Sequence, residues 1–555
     1  MTDSKKANFD PVTLEILWSR LISIADESAA ALLRTSFSTI VRESNDFATV
    51  LMDANGDSLA ENTAGIPSFV GMLPDALKNF LKRIPIDNWN PGDCIITNDP
   101  WIGSGHLPDV TMAAPIFHKG KLVGFSGSIA HLPDIGGGGW SSDGRELFEE
   151  GIRITPMKFL KEGEPNQDVF DFITANVRVP SQVIGDIYAQ VTAQQVCAER
   201  LREFLDDAEL DDLSGLSSAL LERADIAMRK AIEVVPDGTY LSVLDADGFD
   251  EDETHIECAV TVDGSTLHID YDGTSKQIDR GLNSVMKYTY AYSTYPVKCA
   301  LDPDTPRNEG SYRSVTVSAP EGSILNPTYP APVNARQLTG HLLAAAIYEC
   351  LAQAVPDKVI AECGGAPTMR SVYSGTDDDG NSFSQIFFAS GGMGASPVAD
   401  GHSCTAFPTN SGSGSIEAFE SLAPLVIWKK EFRPDSGGAG EYMGGLGQEV
   451  EIEISSEKEI RLSMMSDRQK YPAKGLLGGL EGATVEVIKS DGTRPHPKAR
   501  SPMKPGEKLT LKFGGGAGYG PPANRDPAAI ENDLRNGYIT SAFAKQYYGV
   551  SGEGE

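Results

Sequence analysis

The tetrapeptide His-Leu-Pro-Asp occurs twice, as His106-Leu107-Pro108-Asp109 and as His131-Leu132-Pro133-Asp134. Between the copies, residues 110–117 and 122–130 are β-prone and flank a turn at His118-Lys119-Gly120-Lys121. A hairpin about that turn brings its two open ends together, so residues near Asp109 face Ala130 and His131. His106, Asp109 and His131 are therefore expected to converge at one end of a sheet. Two imidazoles and one carboxylate at a point make a divalent-metal site, with a position left for water or substrate. Alone, each copy reads as a loop sooner than as a ligand set, because His-x-x-Asp is common and Pro-Asp often opens a turn. Their placement at the two ends of one hairpin is what favours ligation.

Upstream, Asp10-Pro11 opens a helix whose apolar face is Leu14, Leu17, Leu21 and Ile24. The turn 41–46 then leads into a buried strand over 47–52, which puts Asp46 at a strand mouth like the central cluster. It is read as a fourth ligand or as a turn residue. Short helix 73–81 and strand 94–97 precede Gly103-Ser104-Gly105, where glycine permits a close backbone approach or a tight loop. After the second His-Leu-Pro-Asp, Gly136 to Gly139 form a lid, an anion-binding backbone or a plain loop.

The spacing predicts helices over 181–206 and 216–234, covering the hairpin layer. Pro236-Asp237-Gly238 marks a boundary. An antiparallel meander follows over 239–271, with turns at 245–248 and 262–264. Further helices are predicted over 281–300, which carries Tyr288, Tyr290, Tyr292 and Tyr295, and over 335–354. Those tyrosines are read as packing, and His341 in the second helix as a structural residue. From Ser371 the chain is glycine-rich and β-prone, with glycine blocks at 390–394, 435–445 and 513–520 and strands near 449–454, 460–465 and 483–488. Asp526-Pro527 caps a late helix over 528–536, and a last one lies near 541–546. The expected architecture is α+β, a mixed α/β multidomain chain. It divides into an N-terminal metal-site α/β domain (1–235), a middle α+β domain (236–355), a glycine-rich β domain (356–525) and a helical tail (526–555).

The formal net charge of −31 argues against nucleic acid or an anionic membrane surface as partner. Seven cysteines, scattered and never in Cys-x-x-Cys spacing, fit a reducing cytoplasm and neither a disulfide framework nor a structural zinc site. The start, Met1 to Lys6, is polar rather than a signal core, and no apolar run reaches membrane-spanning length. There is no Walker loop, no His-Glu-x-x-His, no nucleophile elbow and no readable Rossmann unit, so any nucleotide is expected to bind elsewhere, on another subunit.

The chain resembles the hydantoinase B/5-oxoprolinase family, which includes β subunits of ATP-dependent cyclic-amide hydrolases and related acetone and acetophenone carboxylase subunits. The resemblance is carried by Glu43-Ser44-Asn45-Asp46-Phe47, Asn98-Asp99-Pro100, both histidine motifs, Asn176 to Pro180, Gly185-Asp186 and Asp435-Ser436-Gly437-Gly438. Asp467-Arg468, Gly514-Gly515-Gly516 and Arg525-Asp526-Pro527 add to it. It implies a larger hydantoinase A-type partner, in an α2β2 heterotetramer, that binds ATP and Mg and phosphorylates the substrate oxygen. By motif, a divalent metal, zinc or manganese, falls to His106, Asp109 and His131, the catalytic set, with Asp46 as fourth ligand. The implied reaction is opening of a hydantoin, 5-oxoproline or lactam ring. The alternatives are ATP-dependent ketone carboxylation, or a scaffold whose metal is structural. The chain departs from the family where many members have paired histidines (here His131-Leu132) and Gly-Gly-Asn-x-Glu (here Pro332-Val333-Asn334-Ala335-Arg336). Both bear on the substrate.

Overall fold

The computed structural model describes residues 9–550, so the polar segment Met1 to Lys6 lies outside the described residues. Its centre is a seven-stranded antiparallel sheet. The strands are β1 (Phe47–Asp53), β2 (Ser58–Glu61), β3 (Cys94–Thr97), β4 (Asp109–His118), β5 (Lys121–His131), β6 (Met157–Lys161) and β7 (Glu164–Pro165), in the order β2-β1-β5-β4-β3-β6-β7. β4 and β5 are the expected hairpin. Lys119 and Gly120 both have positive φ (49° and 78°), the conformation of a tight two-residue turn matching strand twist. The register that follows pairs Asp109 with His131 and Val110 with Ala130.

Both faces of this sheet are buried, so its strands lack polar alternation. The helix Pro11–Thr35 packs on Pro180–Asp207, and both lie against the sheet. Asp10 caps the first helix by accepting from the N–H groups of Val12 and Thr13, each at 3.1 Å. Trp18 is fully buried, and its indole N–H donates to the Leu59 carbonyl at 3.0 Å. Burying such a side chain contributes about 2–3 kcal/mol, and its polar edge has a partner.

A second sheet comprises β8 (Gly238–Phe249), β9 (Asp252–Asp263), β10 (Thr266–Asp270) and β11 (Val315–Ser318), in the order β11-β10-β9-β8. Three local expectations are corrected here. The expected turn at 245–248 lies inside β8 and is absorbed as a register shift between Ala246 and Phe249. The helix expected from 281 runs Met286–Leu301. Buried Asn283 donates to the carbonyls of Ile278, Arg280 and Pro332, holding the preceding turn irregular. The helix expected over 335–354 is broken into Gln337–Gly340 and Leu343–Leu351. At the break Gly340 meets Tyr288, whose ring would lie 2.3 Å from any Cβ there.

The C-terminal half holds two four-stranded sheets. One is β12 (Arg370–Thr376), β13 (Ser382–Phe388), β16 (Ile460–Met465) and β18 (Arg500–Met503), in the order β13-β12-β16-β18. The other is β14 (Leu425–Phe432), β15 (Gln448–Ile454), β17 (Glu486–Lys489) and β19 (Lys508–Lys512), in the order β14-β15-β19-β17. Tyr373, Leu462 and Met503 of the first share a core with Val450, Ile452 and Leu511 of the second. The opposite face of the first sheet, with Val372, Ile386, Phe388 and Met465, joins the main core beside the central sheet. The glycine blocks are not strands. They stack backbone on backbone: Gly516 donates to Gly445, Gly438 to Gly516 and Gly392 to Gly514.

Candidate metal centre

Three chain segments end together at one edge of the central sheet. Asp46 immediately precedes β1, Asp109 opens β4 and His131 closes β5. The His131 N–H donates to the Asp46 carbonyl at 3.0 Å, which locks these ends in step. The turn after Asn98 returns His106 to the same point. The His106 Nε2 and His131 Nδ1 atoms lie 2.8 and 2.9 Å from Asp109 Oδ1. One ligand atom from each of the three residues falls within 4.8 Å of the others, and all three residues are buried. Asp46 lies at the rim of this trio, its Oδ2 3.9 Å from His131 Nδ1.

The donor set fits a divalent cation. His106 Nε2 and Asp109 Oδ1 are buried and make their short contact with each other, and His131 Nε2 is buried without a hydrogen-bond partner. Buried polar atoms paired only among themselves are costly, and the three crowded together here match the nitrogen and oxygen donors that zinc or manganese accepts. His106 Nδ1 donates to the Asn334 carbonyl at 2.9 Å, which leaves the Nε2 lone pair facing the centre. Burial, with Arg336 nearby, pushes His106 down to about 4, so its imidazole is neutral at physiological pH. Burial would raise Asp109, but His106 and Arg336 outweigh it and hold the carboxyl well below its usual range. Asp46 is pushed up to about 6 by burial, opposed by His131.

The structure surrounds these residues with side chains that sequence reasoning did not place. Arg336 donates to Asp109 Oδ2 at 2.5 Å and to the Ser104 carbonyl at 2.8 Å, and its guanidinium stacks 4.0 Å over Tyr288. Gly105, with φ 94°, has room for this: a Cβ would lie 2.9 Å from the Arg336 side chain. The departure noted at 332–336 thus falls on the site itself. Trp140 covers it, with ring centroids 4.6 Å from His131 and 6.0 Å from His106, and donates to the Asn334 carbonyl at 2.7 Å. The small pocket at the trio also touches Asp46, Tyr292, His341 and Arg370 and holds about 40 Å³. His341 is anchored structurally, 3.1 Å from the Tyr288 hydroxyl, yet lines the cavity. The only sequence signals for these residues were the altered stretch at 332–336 and the tyrosine spacing.

The glycine loop that carries Trp140 is clasped from two sides. Arg178 pairs with Asp134 at 2.6 Å and donates to the carbonyls of Gly136 and Gly137. Arg500 pairs with Asp143 at 3.0 Å and donates to the Gly138 carbonyl at 3.1 Å. Ser463 Oγ donates to the Trp140 carbonyl at 2.9 Å. The second His-Leu-Pro-Asp therefore divides its work: His131 faces the centre and Asp134 anchors its cover.

Among the described residues no helix is long and apolar enough to cross a membrane. The β subunit of caprolactamase from Pseudomonas jessenii is 30% identical over 561 residues, covering 98% of this chain and 96% of that protein. The crystal structure of the ATP-dependent caprolactamase from the same organism superposes with a TM-score of 0.90 at 28% identity, over 99% of this chain and 98% of that one. The nucleotide-free structure of an acetone carboxylase shares the fold, with a TM-score of 0.89 at 21% identity, over 98% of this chain and 80% of that one. The family described as hydantoinase B/oxoprolinase matches residues 10–522, a span holding the hairpin, the donor trio, its cover and the glycine layer, and the chain belongs to that family.

Proposed function

We propose that this chain is the metal-dependent subunit of a two-component, ATP-dependent amidohydrolase. It opens a cyclic amide, a hydantoin, 5-oxoproline or lactam, after a hydantoinase A-type partner has phosphorylated the amide oxygen. The observation that carries the proposal is the convergence of buried donor atoms of His106, Asp109 and His131 at one point. With a relative named as the β subunit of a caprolactamase, that trio favours amide opening.

Phosphorylation makes the amide carbon electrophilic and supplies a leaving group. Zinc or manganese, held by His106, Asp109 and His131 with Asp46 as fourth ligand, would supply Lewis acidity able to lower the pKa of water from about 16 towards about 7. The chain's own residues do the rest. Asn334 fixes the His106 tautomer, Arg336 holds the Asp109 carboxylate in place, and Trp140 excludes bulk water. Asp46, with its pKa near 6, is placed to take up a proton at Oδ2 if it is not occupied as a ligand. ATP and Mg belong to the partner, and an α2β2 assembly is the expected stoichiometry. All seven cysteines are unpaired, which supports a reducing cytoplasm.

The test is reconstitution with a hydantoinase A-type partner, wild type beside His131→Ala, with elemental analysis of both. Ring-opened acid formed without bicarbonate, together with about one metal per chain that is lost in the variant, is the expected result. Obligatory bicarbonate consumption would replace the hydrolase by a ketone carboxylase. A His131→Ala protein with lower thermal stability but undiminished turnover in its folded fraction would reduce the metal to a structural clamp. Native mass spectrometry of the complex reads the α2β2 stoichiometry.

A further inference from the structure

Outside the metal centre lies an open groove of about 940 Å³, lined by Arg178, Lys458, Arg461 and Arg500 with Glu459 as its only acidic side chain. In a chain of net charge −31, four cations against one acid make a local field opposite to that of the whole. The groove is built on one sheet face. Ser374 of β12 pairs with Ser384 of β13 and with Arg461 of β16, which puts the three in one row. Two residues along, Val372, Ile386 and Ser463 form the next row, and beyond them come Arg370, Phe388 and Met465. Arg370 lines the metal cavity. The Arg461 row is therefore about 13 Å along the same sheet face from Arg370, at about 3.3 Å per residue. A narrower cleft lined by His131, Trp140, Arg178, Arg461 and Arg500 lies between the two.

Arg461 is exposed and, among the described residues, has neither carboxylate nor hydrogen-bond partner. Arg178 and Arg500 are each paired once yet keep 38% and 33% of their side chains exposed. Unpaired guanidinium beside two half-exposed ones, with serine hydroxyls in the same row, is the donor pattern that recognises a tetrahedral dianion.

We propose that this groove is a second binding site, for the phosphoryl group of the substrate on its way to the metal centre, with Arg461 as its principal ligand and Ser374 as a hydrogen-bond donor. The proposal rests on the reading that the substrate arrives phosphorylated, but its test needs neither the partner nor the metal. Calorimetric titration of the full chain, treated with chelator and at low ionic strength, uses inorganic phosphate and methyl phosphate as probes. Both are expected to bind, and Arg461→Gln to weaken both at least tenfold while leaving the melting temperature unchanged. Arg494→Gln, outside the groove, is expected to bind as wild type does. Equal binding by wild type and Arg461→Gln, or none by wild type, would overturn the site. Binding of inorganic phosphate but not of the monoester would make the groove a product site and overturn the assignment to substrate. If the phosphate titration succeeds while the reconstituted enzyme proves to be no amidohydrolase, the site stands and only the proposed reaction falls.

Discussion

Arg336 makes the centre depend on a residue 227 positions away from Asp109 in sequence. Its fork spans Asp109 Oδ2 and the Ser104 carbonyl while its plane lies on Tyr288, and a lysine cannot reproduce all three contacts. Arg336→Lys is expected to weaken zinc or manganese binding by roughly 10- to 100-fold, read by competition against a chromogenic chelator. An unchanged affinity would show that Asp109 needs no such support. Glu150 offers a second residue-level prediction. It is buried, accepts from the N–H groups of Val333 and Asn334 at 2.8 and 2.9 Å, and burial pushes it from 4.5 up to about 8. A carboxyl raised on folding contributes stability that is complete below pH 4.5 and is lost as pH rises to about 8. Wild-type stability should therefore fall across that window by on the order of 1 kcal/mol per pH unit, and Glu150→Gln should flatten the slope in urea titrations at pH 5, 6, 7 and 8. The donor trio was legible in the sequence because one short hairpin fixes it. Arg336, Trp140 and Arg370 were not, because only long-range packing brings them there.

At the scale of elements, the hairpin, the long helices and most strands followed from periodicity and turn chemistry. What escaped were places where tertiary contacts override local preference. A turn signal at 245–248 was absorbed into β8, and a helix was interrupted where Gly340 meets Tyr288. The glycine blocks were the largest such case: composition marked them, but nothing local says that they pack against one another. Their energetic role is testable at Gly515, where a Cβ would stand 1.7 Å from the Ser436 carbonyl oxygen. That contact is with backbone and cannot be relieved by a rotamer change. Gly515→Ala is expected to cost about 4 kcal/mol or more, or to abolish folding; a melting temperature within about 1 °C of wild type would show that the layer yields.

Across the whole molecule, the candidate metal centre sits where the central sheet, the helix-rich middle and one face of the C-terminal sandwich share a core. The mixed architecture was readable from the alternation of periodicities along the chain. The way the C-terminal sheet lends its outer face to a site founded near the N-terminus was not. The burial of the trio has a kinetic consequence. At about 40 Å³ the pocket beside it has room for about three waters and none for a cyclic amide, with Trp140 and its clasped loop against it. Traffic to the trio is then expected to wait for the loop to lift, which a chelator cannot hurry. Ion loss is expected to be first order, with a rate that stops rising as chelator concentration increases, and Arg178→Ala, which frees the loop carbonyls, should raise that ceiling. A rate that climbs in proportion to chelator at every concentration would mean the centre is open to solvent throughout, and the occupancy of the trio would then be set by free-metal concentration alone rather than by the history of the molecule.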